Sequence, residues 1–137
     1  DTNEWKNWME FTNNDEVDQF PKNAVPNEII VTTVDTIRYG YMLELFIMNE
    51  IRPRFVGPTG TGKTAYIQNV LHRKLSEEKF LIIEIGFSAQ TNCNQVQDII
   101  DMKFDKRRKD HFGPRFGMRC VVFVDDLNMP KKEKYGA

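Results

Sequence analysis

Residues 57 to 64 read Gly57, Pro58, Thr59, Gly60, Thr61, Gly62, Lys63 and Thr64, and this octet constrains the chain more than any other stretch because it satisfies the spacing G-x-x-x-x-G-K-[ST]. Its glycines allow backbone conformations that a side chain obstructs, so successive N–H groups can turn toward one anion. An apolar periodic segment begins just beyond Ala65, and a helix starting at the lysine directs its positive end at the same point. Lys63 is then placed to reach the β- and γ-phosphates of ATP, or the β-phosphate of ADP, and Thr64 to offer a hydroxyl to magnesium beside them. The octet predicts a phosphate loop whose contacts run from Gly57 through Ala65, with Lys63 also serving in catalysis.

Such a loop needs a strand before it and a helix after it. The run Arg54, Phe55, Val56 is the expected strand, although Arg54 sets a charge in what should be a buried parallel strand. Ile67, Val70, Leu71 and Leu75 recur at helical spacing and supply the helix. Upstream, Thr33 or Asp35 caps a helix expected over 35–50, with Ile37, Tyr41, Leu45 and Met48 as its apolar stripe and Pro53 beyond its end. Downstream come a buried strand from Phe80 to Ile85 and a helix carrying Val96, Ile99, Ile100 and Phe104. A loop with Gly113, Pro114 and Gly117 follows, and then a strand from Cys120 to Val124. Strands alternating with helices predict an α/β fold with a parallel sheet.

The last of those strands carries the second motif, Cys-Val-Val-Phe-Val-Asp-Asp at residues 120 to 126. An apolar strand that delivers a carboxylate at its tip is how a phosphate-loop protein completes its magnesium site. Asp125 is the expected metal acid. Asp126 stands where an acidic residue orients or deprotonates the attacking water. An apolar strand ending in two aspartates is by itself an ordinary strand running into a polar turn; a separation of about 60 residues from the octet, with one strand and helix between, makes the pair a joint signal.

Composition removes several other readings. No apolar run reaches the length of a membrane span, and Asp1 to Glu10 lack the basic start and apolar stretch of a secretory signal. Cys93 and Cys120 form neither a disulfide framework nor a CxxC pair, which suits a reduced intracellular compartment. The net charge is −1, yet residues 1 to 28 hold seven Asp or Glu against two Lys, leaving the remainder mildly basic. That balance suits an anionic ligand and falls short of a nucleic-acid surface. Residues 1–28 are expected to be an acidic leader or interdomain connector, with Trp5, Trp8, Met9 and Phe11 as local packing or an anchor onto a neighbour. Residues 29–137 form the phosphate-loop domain. Lys106, Arg107, Arg108 and Lys109, flanked by Asp105 and Asp110, are expected to be a solvated helix end. His72 and His111 have no partner at catalytic or metal-ligand spacing. Ser88 is either a turn residue or a sensor of the terminal phosphate.

Seven phrases then carry a resemblance: VDTIRY at 34–39, GPTGTGKT at 57–64, FSAQT at 87–91, QDIID at 97–101, KRRK at 106–109, FGP at 112–114 and VVFVDDLNMPKKEKYGA at 121–137. In this order they resemble the AAA-plus ATPase modules of dynein heavy chains, most closely the third module of axonemal dyneins. The resemblance implies a three-layer P-loop NTPase fold of the AAA-plus type, cut after the Walker B strand, because Ala137 stands only 11 residues beyond Asp126. It implies that the loop holding Ile30 and Val31 lies against adenine, that Lys63 and Thr64 bind nucleotide and magnesium, and that Asp125 and Asp126 are the metal and catalytic acids. It further implies a microtubule motor in the axoneme of a cilium or flagellum, part of the cytoskeleton and cytoplasm. Its partners would be neighbouring AAA-plus modules, microtubules, and dynein intermediate and light chains, with no nucleic acid or membrane. Asp126 is one methylene shorter than the glutamate common at this position, so a regulatory or structural nucleotide-binding module with little hydrolysis stands as the alternative.

Overall fold

A computed structural model describes residues 4, 5, 7, 8, 33–109 and 111–132. The expected adenine contacts Ile30 and Val31, the anchors Met9 and Phe11, and most of the acidic leader lie outside the described residues. The chain divides into two compact units, Asp1–Lys74 and Leu75–Ala137.

In the first unit, helix α1 spans Val34–Met48. Of the two expected caps it uses Thr33. The Thr36 N–H donates to Thr33 Oγ1 at 3.2 Å and the Thr33 N–H to Thr36 Oγ1 at 2.8 Å, a reciprocal pair that satisfies two donors the helix leaves open. Asp35 instead pairs with Arg38 at 2.7 Å. The expected apolar stripe is only partly the packed one: Ile37 is half-buried, but Tyr41, Leu45 and Met48 are exposed, and the buried positions are Gly40 and Leu43. The cause is Gly40, where a Cβ would stand 3.2 Å from Val70 Cγ2. Without a side chain at that point α1 lies close against the next helix, and its inward face is set by the glycine.

That next helix, α2, spans Lys63–Asn69 and continues as a π-helical turn over Val70–Lys74. Its predicted stripe is borne out, since Ile67, Val70, Leu71 and Leu75 are all buried. The expected strand over 54–56 is absent: residues 51–58 have no regular structure, Arg54 is exposed and Val56 is 80% exposed. A central parallel strand would have forced the Arg54 guanidinium out of water, and only Phe55 of the three turns inward. Trp8 meets the Tyr41 ring edge-on at 5.4 Å, while Trp5 is exposed.

The second unit is built on strands β1, Phe80–Gly86, and β4, Arg119–Asp125, which pair in parallel from Phe80 opposite Arg119 to Gly86 opposite Asp125. Helix α3, Cys93–Lys103, lies in the connection between them, capped by reciprocal bonds between Asn92 and Gln95. This is the α/β parallel arrangement expected from the alternation of elements. Phe80, Ile83 and Ile85 are buried, whereas the equally apolar β4 is half-covered, with Val122 exposed.

Between α3 and β4 the chain forms an antiparallel hairpin, β2 at Asp105–Arg108 and β3 at His111–Gly113. The basic run is therefore solvated as expected but is a strand, not a helix end. Its placement follows from Arg107, which sits at the bulge, donates to the Pro114 carbonyl at 2.6 Å and lies over the Phe116 ring. Extended backbone lets this guanidinium reach the following loop. His111 belongs to the hairpin and His72 to the π-helical turn, both exposed. No described helix is long and apolar enough to cross a membrane.

Two measurements check these packings. Gly40→Leu should destabilise the chain by about 1–3 kcal/mol by driving atoms into Val70, whereas Gly40→Ala should be nearly neutral because its gain of about 1 kcal/mol in helix propensity offsets the close contact. A leucine variant that melts like the parent would contradict the contact. Burial pushes the Cys120 thiol pKa up, so less of it is the reactive thiolate near neutral pH. Exposed Cys93 should then alkylate faster than Cys120 by about tenfold in peptide mass spectrometry of the native chain, and equal rates would mean β4 is not seated as described.

Candidate phosphate loop and acidic strand tip

The loop between Gly57 and Lys63 owes its shape to two glycines with left-handed backbone, Gly60 at φ 80° and Gly62 at φ 74°. A side chain strains that conformation, so the sequence's glycines stand where the turn needs them. Gly62 is also the N-cap of α2 and offers no side chain to the first helical N–H groups. A Cβ at either glycine would meet nothing within 4 Å, so the space beside this part of the loop is open.

Lys63 folds back over the loop that precedes it. Its Nζ donates to the Gly57 carbonyl at 3.0 Å, to the Pro58 carbonyl, and to Thr61 Oγ1 at 3.2 Å. The Thr61 hydroxyl itself donates to the Pro58 carbonyl at 3.0 Å. Gly57 makes room for the lysine, since a Cβ there would sit 3.7 Å from Lys63 Cδ. Among the described residues no carboxylate forms an ion pair with Lys63. Its partners among the described residues are neutral dipoles. This donor set fits a phosphate group. Thr64 and Ala65 occupy the first turn of α2, with Thr64 half-buried.

Two aromatic contacts frame the same loop. Tyr66, in α2, meets the Phe55 ring edge-on at 5.8 Å and stacks with Tyr39 of α1 at 5.9 Å. Burial, and secondarily the neighbouring Tyr39, pushes the Tyr66 phenol pKa up. Sequence spacing did not single out Phe55 or Tyr66; their aromatic character on either side of the octet was the available signal.

In the second unit, β4 ends at Asp125, half-buried opposite Gly86 of β1. The Asp125 carbonyl accepts from the Phe87 N–H at 3.0 Å, and its Oδ1 from the Asp126 N–H at 3.0 Å. Asp126 is exposed and left-handed at φ 52°, a region where aspartate is among the better tolerated side chains, and its carbonyl accepts from the Met129 N–H at 2.9 Å. The strand therefore breaks into a turn at the second acid. Ser88 exchanges hydrogen bonds with Thr91, whose Oγ1 accepts from the Ser88 N–H at 2.8 Å. Of its two readings, the turn role is the one its contacts display.

A groove of about 350 Å³ in this unit, lined by Phe87, Cys93, Val96, Ile100 and Pro130 among others, contains none of the predicted site residues. The candidate phosphate site is argued from the donor chemistry of the loop and not from concavity. Among the described residues no cluster of three His, Cys, Asp or Glu could cage a metal. Magnesium held through a hydroxyl, a carboxylate and nucleotide phosphates needs no such cage.

Comparisons with known proteins place the chain among phosphate-loop proteins. A family described as "P-loop containing dynein motor region" matches residues 18–137. "Dynein axonemal heavy chain 12" of Mus musculus is 47% identical over 133 residues, covering 97% of the present chain and 4% of the relative. "Dynein axonemal heavy chain 3" of Homo sapiens is 47% identical over 133 residues, with 97% and 3% covered. "Dynein axonemal heavy chain 1" of Rattus norvegicus is 42% identical over 137 residues, again with 97% and 3% covered. The chain thus spans 3% to 4% of the length of these relatives.

The loop geometry yields its own expectation. Because the space beside Gly62 is open, only backbone strain should penalise substitution. Gly62→Val should destabilise the chain by about 1–2 kcal/mol more than Gly62→Asn, which tolerates the left-handed region. Equal denaturation midpoints for the two variants would show that the loop does not hold this conformation.

Proposed function

The chain belongs to the P-loop-containing dynein motor region family, and from that premise we propose that it is a nucleotide-binding part of an axonemal dynein heavy chain. The observation that carries the reading is Lys63, a cation poised over a glycine loop with no carboxylate partner among the described residues. ATP or ADP supplies the anion. Magnesium, when bound, neutralises charge on the β- and γ-phosphates.

Within that reading each residue has a distinct task. Lys63 exchanges its loop carbonyls for phosphate oxygens, and the N–H groups from Gly60 to Ala65 converge on the same oxygens. Thr64 offers its hydroxyl to magnesium, and Asp125 a carboxylate. Asp126 accepts a proton from, or orients, the water that attacks the γ-phosphate in line. Ile30 and Val31 lie against adenine. The ordered phrases from VDTIRY to KKEKYGA support assignment to the third AAA-plus module, with residues 1–28 as the connector leading into residues 29–137.

The whole heavy chain is then a microtubule motor of the ciliary or flagellar axoneme. There, neighbouring AAA-plus modules cover apolar surface such as the half-bare β4, while intermediate and light chains associate elsewhere on the parent. A regulatory role with little hydrolysis is the second reading. It is favoured by Asp126, whose short side chain rises from a left-handed residue engaged in a turn.

Titration calorimetry with magnesium-ATP and magnesium-ADP tests the site on the 137-residue chain. Saturable binding is expected, weakened at least about tenfold in Lys63→Ala by loss of a charge-assisted contact and largely kept in Asp126→Asn. Unchanged affinity in Lys63→Ala would remove the phosphate assignment.

A further inference from the structure

The segment that leads into the phosphate loop has no strand to hold it. Residues 51–58 have no regular structure, so no strand ladder fixes the position of Gly57, whose carbonyl is one of the acceptors of Lys63. Hydrogen bonds inside the loop tie Pro58 to Thr61 and Lys63. An aromatic contact, Phe55 with Tyr66, joins the segment before the loop to the helix after it. Phe55, two residues before Gly57, is half-buried between exposed Arg54 and Val56, and its ring meets the buried Tyr66 two residues after Thr64. Tyr66 in turn stacks on Tyr39, so both ends of the loop are referred to α1.

We propose that Tyr66 is a positioning residue that, through its edge contact with Phe55 and its stack on Tyr39, staples the two ends of the phosphate loop and so sets the distance between the Gly57 carbonyl and the Lys63 ammonium. The proposal deepens the nucleotide-binding reading and rests on it for its purpose, though the staple itself exists without nucleotide. Its physical basis is the preference of aromatic pairs for edge-to-face and offset-stacked geometry at centroid separations of about 4.5–7 Å, which fixes relative position more closely than aliphatic contact. Preorganising a phosphate loop raises affinity by reducing the ordering left to be done on binding. The phenol hydroxyl is not needed for either ring contact, so phenylalanine should replace Tyr66 without loss.

The test uses Phe55→Ala, Tyr66→Leu, their double variant and the conservative Tyr66→Phe in the 137-residue chain, with circular dichroism to verify folding. Hydrogen–deuterium exchange across residues 59–64 without nucleotide should accelerate in the first three and remain at the parental rate in Tyr66→Phe. Magnesium-ADP affinity should fall about two- to tenfold in each single variant, and in the double no further than in Tyr66→Leu, because that change already removes the Phe55 contact along with the Tyr39 stack. Unchanged exchange in a folded Phe55→Ala overturns the staple, as do single effects that add in the double. If Tyr66→Leu does not fold, Phe55→Ala against Phe55→Tyr carries the same comparison, with tyrosine expected to restore the parental rate. A parent chain that binds no nucleotide would defeat the functional reading, while the exchange measurement still decides the staple.

Discussion

The charge of Lys63, which meets no carboxylate among the described residues, organises the loop of the first unit. A buried or half-buried ammonium must be solvated by something, and here two carbonyls and a hydroxyl of its own loop perform that task. Those partners are neutral and local, so an anion could replace them without breaking an ion pair to any described residue. A carboxylate in the same place would have produced a stable salt bridge and a poor anion site. The two left-handed glycines, the absence of a Cβ at Gly57 and the helix beginning at Lys63 are all needed for this arrangement.

The scaffold around the loop is consistent with that demand. α2 carries the lysine, and its apolar side, Ile67, Val70 and Leu71, is buried in the first unit's core. α1 meets it at Gly40, where the missing side chain brings the two helices together. Close packing holds the helix, while the segment before the loop is attached at its start by the Ile51 N–H bond to the Phe46 carbonyl and near the loop by the Phe55 ring.

Much of this was legible in the sequence, and the failures share a cause. The octet, the buried strand at Phe80 and the apolar strand ending at Asp125 were readable because motif spacing and unbroken apolar runs report directly on local structure. Thr33 was readable as one of two caps. The packed face of α1 was not, because periodicity counts apolar side chains and Gly40 contributes by having none. The strand expected at 54–56 failed for the reason that made it suspect, the guanidinium of Arg54. The hairpin at 105–113 was hidden because a run of four cations has no apolar alternation, and its shape depends on Arg107 reaching Pro114. The left-handed Asp126 leaves no mark in a pattern of residue types.

Asp126 connects backbone and chemistry in the second unit. Strand β4 must stop where its carboxylates begin, and the chain stops it by turning left-handed at the second acid, a conformation that aspartate accepts more readily than longer side chains. The N–H released by that turn is taken by Oδ1 of Asp125, so the first acid orients the second through the backbone. The shorter acid thus has a structural reason to be present, independent of any effect on hydrolysis. In both units a charged group has neutral local partners, the Gly57 and Pro58 carbonyls and the Thr61 hydroxyl for Lys63 and the Asp126 N–H for Asp125, and these help to fix its position.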